Sequence, residues 1–147
     1  MTKKERREYI LNLDKVVKRW DKNSKLFRGG CCFSAGQVAK LLEKKKIRYQ
    51  VICWERGYTN ETDLKKIIKD NNCCHVAIQV SLDGKRFIIG GDFNNSWTTS
   101  IIEYKKIRSE KIIECDLYGV KCNTWNKAYN RNLNNRFIGV LNRAVEK

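Results

Sequence analysis

Apolar side chains recur at helical spacing in two segments near the N-terminus. Between Lys4 and Trp20 an apolar residue returns every three or four positions, and a similar period runs from Cys32 to Lys46. Such a period places the apolar residues on one face of a helix. The pattern therefore predicts two amphipathic helices, and the second begins at the cysteines that follow Gly29 and Gly30.

The middle of the chain changes to β patterning. Residues 49–54 are rich in strand-forming side chains, and apolar and polar positions then alternate over residues 74–80. A second β run, Lys85 to Ile89, follows the dipeptide Asp83-Gly84. An Asp-Gly pair between two such runs is typical of a tight β-hairpin turn. We therefore predict a strand followed by a hairpin.

The remaining patterns complete an α+β domain. A short helix is predicted from Glu61 to Asp70, capped by Asn60, and two further strands from Ser100 to Ile107 and from Lys111 to Leu117. Residues 124–145 predict one or two closing helices. Because no repeat, linker or composition break interrupts the chain, we predict one domain over residues 1–147. Its N-terminal helices would pack on a small antiparallel sheet.

The Asp-Gly turn also predicts the register of the hairpin. If the turn has two residues, Ile78 lies opposite Ile89, and the same register continued outward places His75 opposite Asp92. Opposed residues hold their Cβ atoms about 4.5 to 5.5 Å apart, close enough for an imidazole to donate a hydrogen bond to a carboxylate. The chain contains one histidine. The sequence therefore predicts that this histidine is oriented by an acid.

A cysteine at the start of the second helix completes a candidate catalytic group. The positive end of a helix dipole and a histidine partner both lower the pKa of a thiol, which yields the nucleophilic thiolate. We predict that Cys32 attacks the substrate, that His75 takes and returns the proton, and that Asp92 holds the imidazole in the required tautomer. Cys31, one residue earlier, is the competing candidate for the nucleophile.

Residues 27–33, Phe-Arg-Gly-Gly-Cys-Cys-Phe, resemble the Arg-Gly-Gly-x-Cys-Phe stretch of arylamine N-acetyltransferases, which aligns Cys32 with their nucleophile. The order of a cysteine, a histidine opening a strand and an aspartate after the next strand is similar to that of transglutaminases and double-glycine leader peptidases. The resemblance implies a papain-like core with catalytic residues Cys32, His75 and Asp92. It implies a thiol hydrolase or transferase that acts on a peptide, protein or small acyl substrate.

The chain is strongly basic, with a formal charge of +15. The basic residues form separate runs, Lys3 to Arg7, Lys44 to Arg48 and Lys105 to Arg108, and no nucleic-acid-reading motif accompanies them. We expect weak, salt-sensitive contact with polyanions. Two alternatives to the enzyme stay open: a structural or assembly protein that keeps the fold without catalysis, and a basic nucleic-acid-binding protein.

The cysteine pattern bears on compartment and cofactors. Seven cysteines are an odd number, and two pairs of them are adjacent in sequence, which favours thiols in a reducing, cytoplasmic compartment over a disulfide framework. Because neither a paired Cys-x-x-Cys nor a second histidine is present, we expect no metal and no cofactor. No apolar run is long enough to predict a membrane span. The abundance of Lys, Asn and Ile, with no Pro, favours an AT-rich source such as a phage, another virus or a low-GC bacterium.

Overall fold

Within the residues that the structure describes, four helices and a four-stranded antiparallel sheet form an α+β fold. The computed structural model describes residues 1–21, 31–56, 73–92, 98–104, 107–114 and 124–146. The helices are α1 (Lys3–Asp21), α2 (Cys31–Lys44), α3 (Ser109–Glu114) and α4 (Thr124–Val145). The strands are β1 (Gln50–Arg56), β2 (Cys73–Leu82), β3 (Lys85–Ile89) and β4 (Thr98–Tyr104).

The sheet has the order β3-β2-β1-β4, and each neighbouring pair is antiparallel. The predicted hairpin is confirmed in its register, because Leu82 pairs with Lys85 and Ile78 with Ile89. Its two turn residues, Asp83 and Gly84, have φ angles of 53° and 76°. Positive φ at both central positions gives the turn whose twist matches that of the flanking strands. The Asp-Gly dipeptide therefore sets this register.

The main core lies between one face of the sheet and the helices. α2 packs on β2, α1 on β3, and α4 on α1. The face that they cover follows the strand alternation and carries the buried side chains Val51, Cys53, Val76, Ile78, Val80 and Ile89. A smaller cluster, Ile52, Trp54 and Ala77, belongs to the alternate positions of β1 and β2. Because successive strand side chains point to opposite faces of a sheet, the two clusters lie on opposite faces.

Most of the predicted elements are confirmed, including both N-terminal helices, the first strand, a strand at β4 and the closing helical segment, which forms one helix, α4. The predicted strand from Lys111 to Leu117 is wrong, because residues 109–114 form α3. Residues 115–117 lie outside the described residues, as does the predicted helix from Glu61 to Asp70.

Tertiary contacts explain why an Ile-rich segment becomes helix α3. Ser109 at its start is buried, its backbone N–H donates to Glu43 Oε1 over 2.8 Å, and its hydroxyl donates to Glu43 Oε2 over 2.9 Å. Ile112 is completely buried, and Ile113 lies against Gly36 of α2. Helix α3 thus gains a polar anchor and apolar burial from α2, and both outweigh the β propensity of isoleucine.

Candidate active site

Helix α2 presents two adjacent cysteines at its first positions. Cys31 is half-buried, whereas Cys32 has only 1% of its surface exposed and belongs to the main core. Cys32 continues the buried face that includes Ala35, Val38 and Leu42. Cys31 lies just outside that face, so its thiol is the one directed toward the start of β2. Of the cysteines whose side chains are described, Cys31, Cys32 and Cys53 form no disulfide.

His75 occupies the start of β2 beside an irregularity in the sheet. Trp54 of β1 pairs with His75, but the next residue, Glu55, pairs with Cys73, so Cys74 is an extra residue in the ladder. Such a bulge bends the strand and redirects nearby side chains. The imidazole of His75 contacts the Trp54 indole with ring centroids 5.4 Å apart. The aromatic contact and the bulge together position the imidazole.

The structure brings Cys31 and His75 into hydrogen-bonding contact. A hydrogen bond from Cys32 is the largest influence that holds the pKa of the Cys31 thiol well below its ordinary value, and burial acts in the opposite direction. A hydrogen bond from His75, the charge of that imidazole and the backbone N–H of Val76 lower the pKa further. Because the thiolate is the nucleophilic form, Cys31 has the environment of a reactive cysteine.

The prediction placed Cys32 in this position, whereas the thiol that meets His75 belongs to Cys31. The physical reason is helical geometry, because successive side chains leave a helix about 100° apart, so adjacent cysteines cannot face one partner equally. Cys32 instead donates a hydrogen bond to the Cys31 sulfur, which lowers the pKa of that thiol. Sequence spacing alone left this choice between two adjacent residues open.

Asp92 does not become the cross-strand neighbour of His75. The β2–β3 ladder ends at the pair Ile78 and Ile89, because Gly90 and Gly91 take φ angles of 97° and 86° and the Gly91 N–H bonds back to Ile88. Asp92 is exposed, and no hydrogen bond or ion pair joins its carboxylate to the part of the chain that the structure describes. The predicted register was correct, but the glycines end the strand before it reaches Asp92.

The turn after β3 is held by an acid that the sequence analysis missed. Asp14 of α1 is only 6% exposed, accepts the Gly90 N–H at Oδ1 over 2.9 Å and pairs with Lys18 at Oδ2 over 3.0 Å. In the sequence, Asp14 stands between Leu13 and Val17 on the apolar side of α1, and an acid on that side indicates a buried carboxylate. A buried carboxylate requires such partners.

A small cavity of about 10 Å³ adjoins the Cys31–His75 pair. Its volume is close to that needed for one water molecule. The walls come from α1, α2, β2 and β3, and include Val17, Cys31, Ser34, His75 and Ile89. The Cys31 thiol and the His75 imidazole therefore line one cavity, which has room for about one water molecule.

The chain matches no known protein family, no curated protein and no solved structure. Among the described side chains, no three His, Cys, Asp or Glu residues form a group that could hold a metal ion. No described helix combines the length and apolarity needed to cross a membrane. Any functional conclusion therefore depends on the geometry of the site itself.

Proposed function

We propose that this protein is a papain-like thiol hydrolase or acyl transferase in which Cys31 is the nucleophile and His75 is the general acid and base. The observation that carries the proposal is the contact between a helix-start cysteine of lowered pKa and the one histidine of the chain. Nucleophilic cysteines are activated in this way, by a histidine together with a helix N-terminus. An amide or another acyl bond is the substrate class that suits such a pair.

The proposed reaction has two halves. The Cys31 thiolate attacks the carbonyl carbon, an S–C bond forms, and the carbonyl electrons move to oxygen. Collapse of this intermediate breaks the C–N bond, while His75 gives its proton to the departing amine. Water or another acceptor then attacks the thioester, loses a proton to His75 and releases the thiolate. Backbone N–H groups in the first turn of α2 lack intrahelical acceptors and are the candidate donors to the oxyanion.

Acetylation by p-nitrophenyl acetate tests this proposal. We expect a rapid release of nitrophenol and an acetyl group on Cys31, located by fragmenting the peptide that contains residues 29–40. Cys31→Ser should abolish the burst, and His75→Ala should reduce its rate at least 100-fold, as expected on losing a general base. Cys32→Ser is the matched control and should keep the burst. Equal acetylation of Cys31 in wild type and His75→Ala would contradict the proposal.

A non-enzymatic structural or assembly role is the second candidate function. The observation that favours it is the small volume beside Cys31, since a substrate cleft is normally several hundred Å³. An enzyme must open this site when it binds substrate, whereas a structural protein need not. Under the second function, acetylation of Cys31 would stop after one slow event without turnover.

A further inference from the structure

Another surface lies at the end of the sheet opposite to His75. A groove of about 1450 Å³ is lined by the start of β1, the end of β2 and the turn before β3. We call it the basic groove, because its lining includes six cationic side chains: Arg6, Lys46, Arg48, Lys85, Arg86 and Arg108. Glu43 is the one acidic residue among the described residues that line it.

The basic groove is assembled from parts of the chain that are distant in sequence. Arg6, Arg48 and Arg108 come from the three basic runs that the sequence shows at residues 3–7, 44–48 and 105–108. The β2–β3 hairpin adds Lys85 and Arg86. Charge that is scattered along the sequence is therefore concentrated at one site by the fold.

Part of this positive charge is neutralised inside the protein. Arg86 pairs with Glu103 over 2.9 Å and Arg108 with Glu110 over 3.7 Å, and the Glu43 carboxylate already accepts hydrogen bonds from Tyr49 and Ser109. Lys46, Arg48 and Lys85 are exposed, and no carboxylate in the described part of the chain forms an ion pair with any of them. Three cations thus face the groove with their charge available.

The backbone at Lys46 allows the charge of this residue to be removed without straining the fold. Lys46 follows α2 with a φ angle of 57°, while the next N–H, that of Ile47, returns to Leu42 O over 2.9 Å. This left-handed position at a helix end favours glycine. A lysine in this conformation carries a backbone cost, and its positive charge suits both the C-terminal end of α2 and the groove.

We propose that the basic groove binds the phosphate backbone of a single nucleic-acid strand. A strand brings one phosphate with every nucleotide and can lie along a concave surface, where several cations meet successive charges. A planar lipid surface cannot enter a concave groove as closely. The proposal concerns a site apart from Cys31 and His75, and it goes beyond the proposed acyl-transfer activity.

The test is fluorescence anisotropy with a labelled oligo-dT of 20 nucleotides at several salt concentrations. The groove variant combines Lys46→Gly, Arg48→Gln and Lys85→Gln. Its matched control combines Lys15→Gln, Arg136→Gln and Arg143→Gln, three exposed helical positions outside the groove lining that remove the same charge. We expect at least a tenfold loss of affinity in the groove variant, and a slope of log K against log salt that is shallower by roughly 2. The control should lose less than threefold.

The single variant Lys46→Gly separates binding from folding, because glycine suits the backbone at that position. Weaker binding by Lys46→Gly, at unchanged stability, supports the proposal. Unchanged binding by Cys31→Ser also supports it, and this result does not depend on whether the protein catalyses acyl transfer. Equal losses in the groove and control variants would show that only overall charge acts. That result would overturn the proposal, as would the absence of oligo-dT binding by the wild type. Tighter binding to phosphatidylserine vesicles or polyglutamate than to oligo-dT would overturn it as well.

Discussion

Cys31 and Cys32 are chemically identical residues whose surroundings give them different roles. Cys31 meets His75 at the edge of the core, whereas Cys32 is buried within the core and donates a hydrogen bond to its neighbour. A hydrogen bond to a thiolate favours the charged form, so the buried Cys32 thiol lowers the pKa of the half-buried Cys31 thiol. The two positions should therefore respond differently to substitution.

Replacing Cys32 tests this division of roles. Cys32→Ala removes the donor that most lowers the pKa of Cys31, so we expect that pKa to rise and iodoacetamide labelling of Cys31 at pH 6 to slow several-fold. Labelling at pH 9 should remain close to that of wild type. Cys32→Ser keeps a donor and is the matched control. Equal labelling rates of the Ala and Ser variants at pH 6 would show that the hydrogen bond does not matter.

Replacing Asp92 tests whether its carboxylate orients His75. Because its carboxylate is exposed and makes no ion pair in the described part of the chain, Asp92→Asn should slow acetylation of Cys31 less than tenfold. An aspartate that orients a catalytic histidine gives losses of about 10⁴-fold when replaced by asparagine. The burst rate with p-nitrophenyl acetate distinguishes the two cases, and a loss above 1000-fold would restore Asp92 to the predicted triad.

Helix α3 shows how one element depends on another. Its polar anchor is the carboxylate of Glu43 at the end of α2, and its apolar contact is made where α2 has a glycine. A Cβ atom at Gly36 would meet Ile113 Cγ1 and lie 3.2 Å from the Ile113 backbone nitrogen. The absence of a side chain at Gly36 thus permits the close approach of the two helices.

Two glycine substitutions test the α2–α3 contact. Gly36→Ala should lower the free energy of unfolding by about 1 to 3 kcal/mol, because overpacking outweighs the gain in helix propensity. Gly139→Ala in α4 is the control, since a Cβ there meets only the flexible Arg143 side chain at 3.3 Å or more. It should raise stability by about 0.5 to 1 kcal/mol. Urea unfolding gives both values, and a stabilising Gly36→Ala would contradict the close packing.

The lowered pKa of Cys31 has a consequence for the stability of the whole molecule. The ordinary thiol value is 9.0, and the folded value lies well below it, so between the two the unfolded chain binds one more proton than the folded protein. Stability therefore rises with pH in that window, and the contribution is lost as pH falls through the folded pKa.

Cys31→Ser removes this titration. We expect the difference in unfolding free energy between wild type and Cys31→Ser to increase as pH is raised from about 5 toward 8.5, in favour of wild type. Urea denaturation at a series of pH values measures this difference, and titrating groups that do not contact Cys31 cancel in it. Parallel stability curves would mean that the Cys31 thiol titrates at its ordinary pKa in the folded protein.

Charge is also organised at the scale of the molecule. The runs at residues 3–7, 44–48 and 105–108 read as separate basic faces in the sequence, yet each contributes an arginine to the basic groove. A formal charge of +15 predicts attraction to polyanions but no location. The fold gathers side chains from all three runs into one groove.

Features that depend on near neighbours in the chain were predictable from the sequence alone. Helical periodicity was enough for α1, α2 and α4, and the Asp83-Gly84 turn was enough for the hairpin and its register. The sequence also placed a cysteine at the start of the second helix, and α2 begins at Cys31. These features are local because side-chain period and turn chemistry act over a few residues.

Tertiary packing determined the features that join segments distant in the sequence. It made Cys31, rather than Cys32, the partner of His75, because of how α2 is oriented on β2. It also fixed the turn after β3, where the Gly90 N–H bonds to Asp14 on α1. It also made α3 a helix, because Glu43 and Gly36 on α2 offered a polar anchor and close packing. Burial and hydrogen bonding across long sequence separations outweigh local propensity, and one-dimensional patterns do not carry that information.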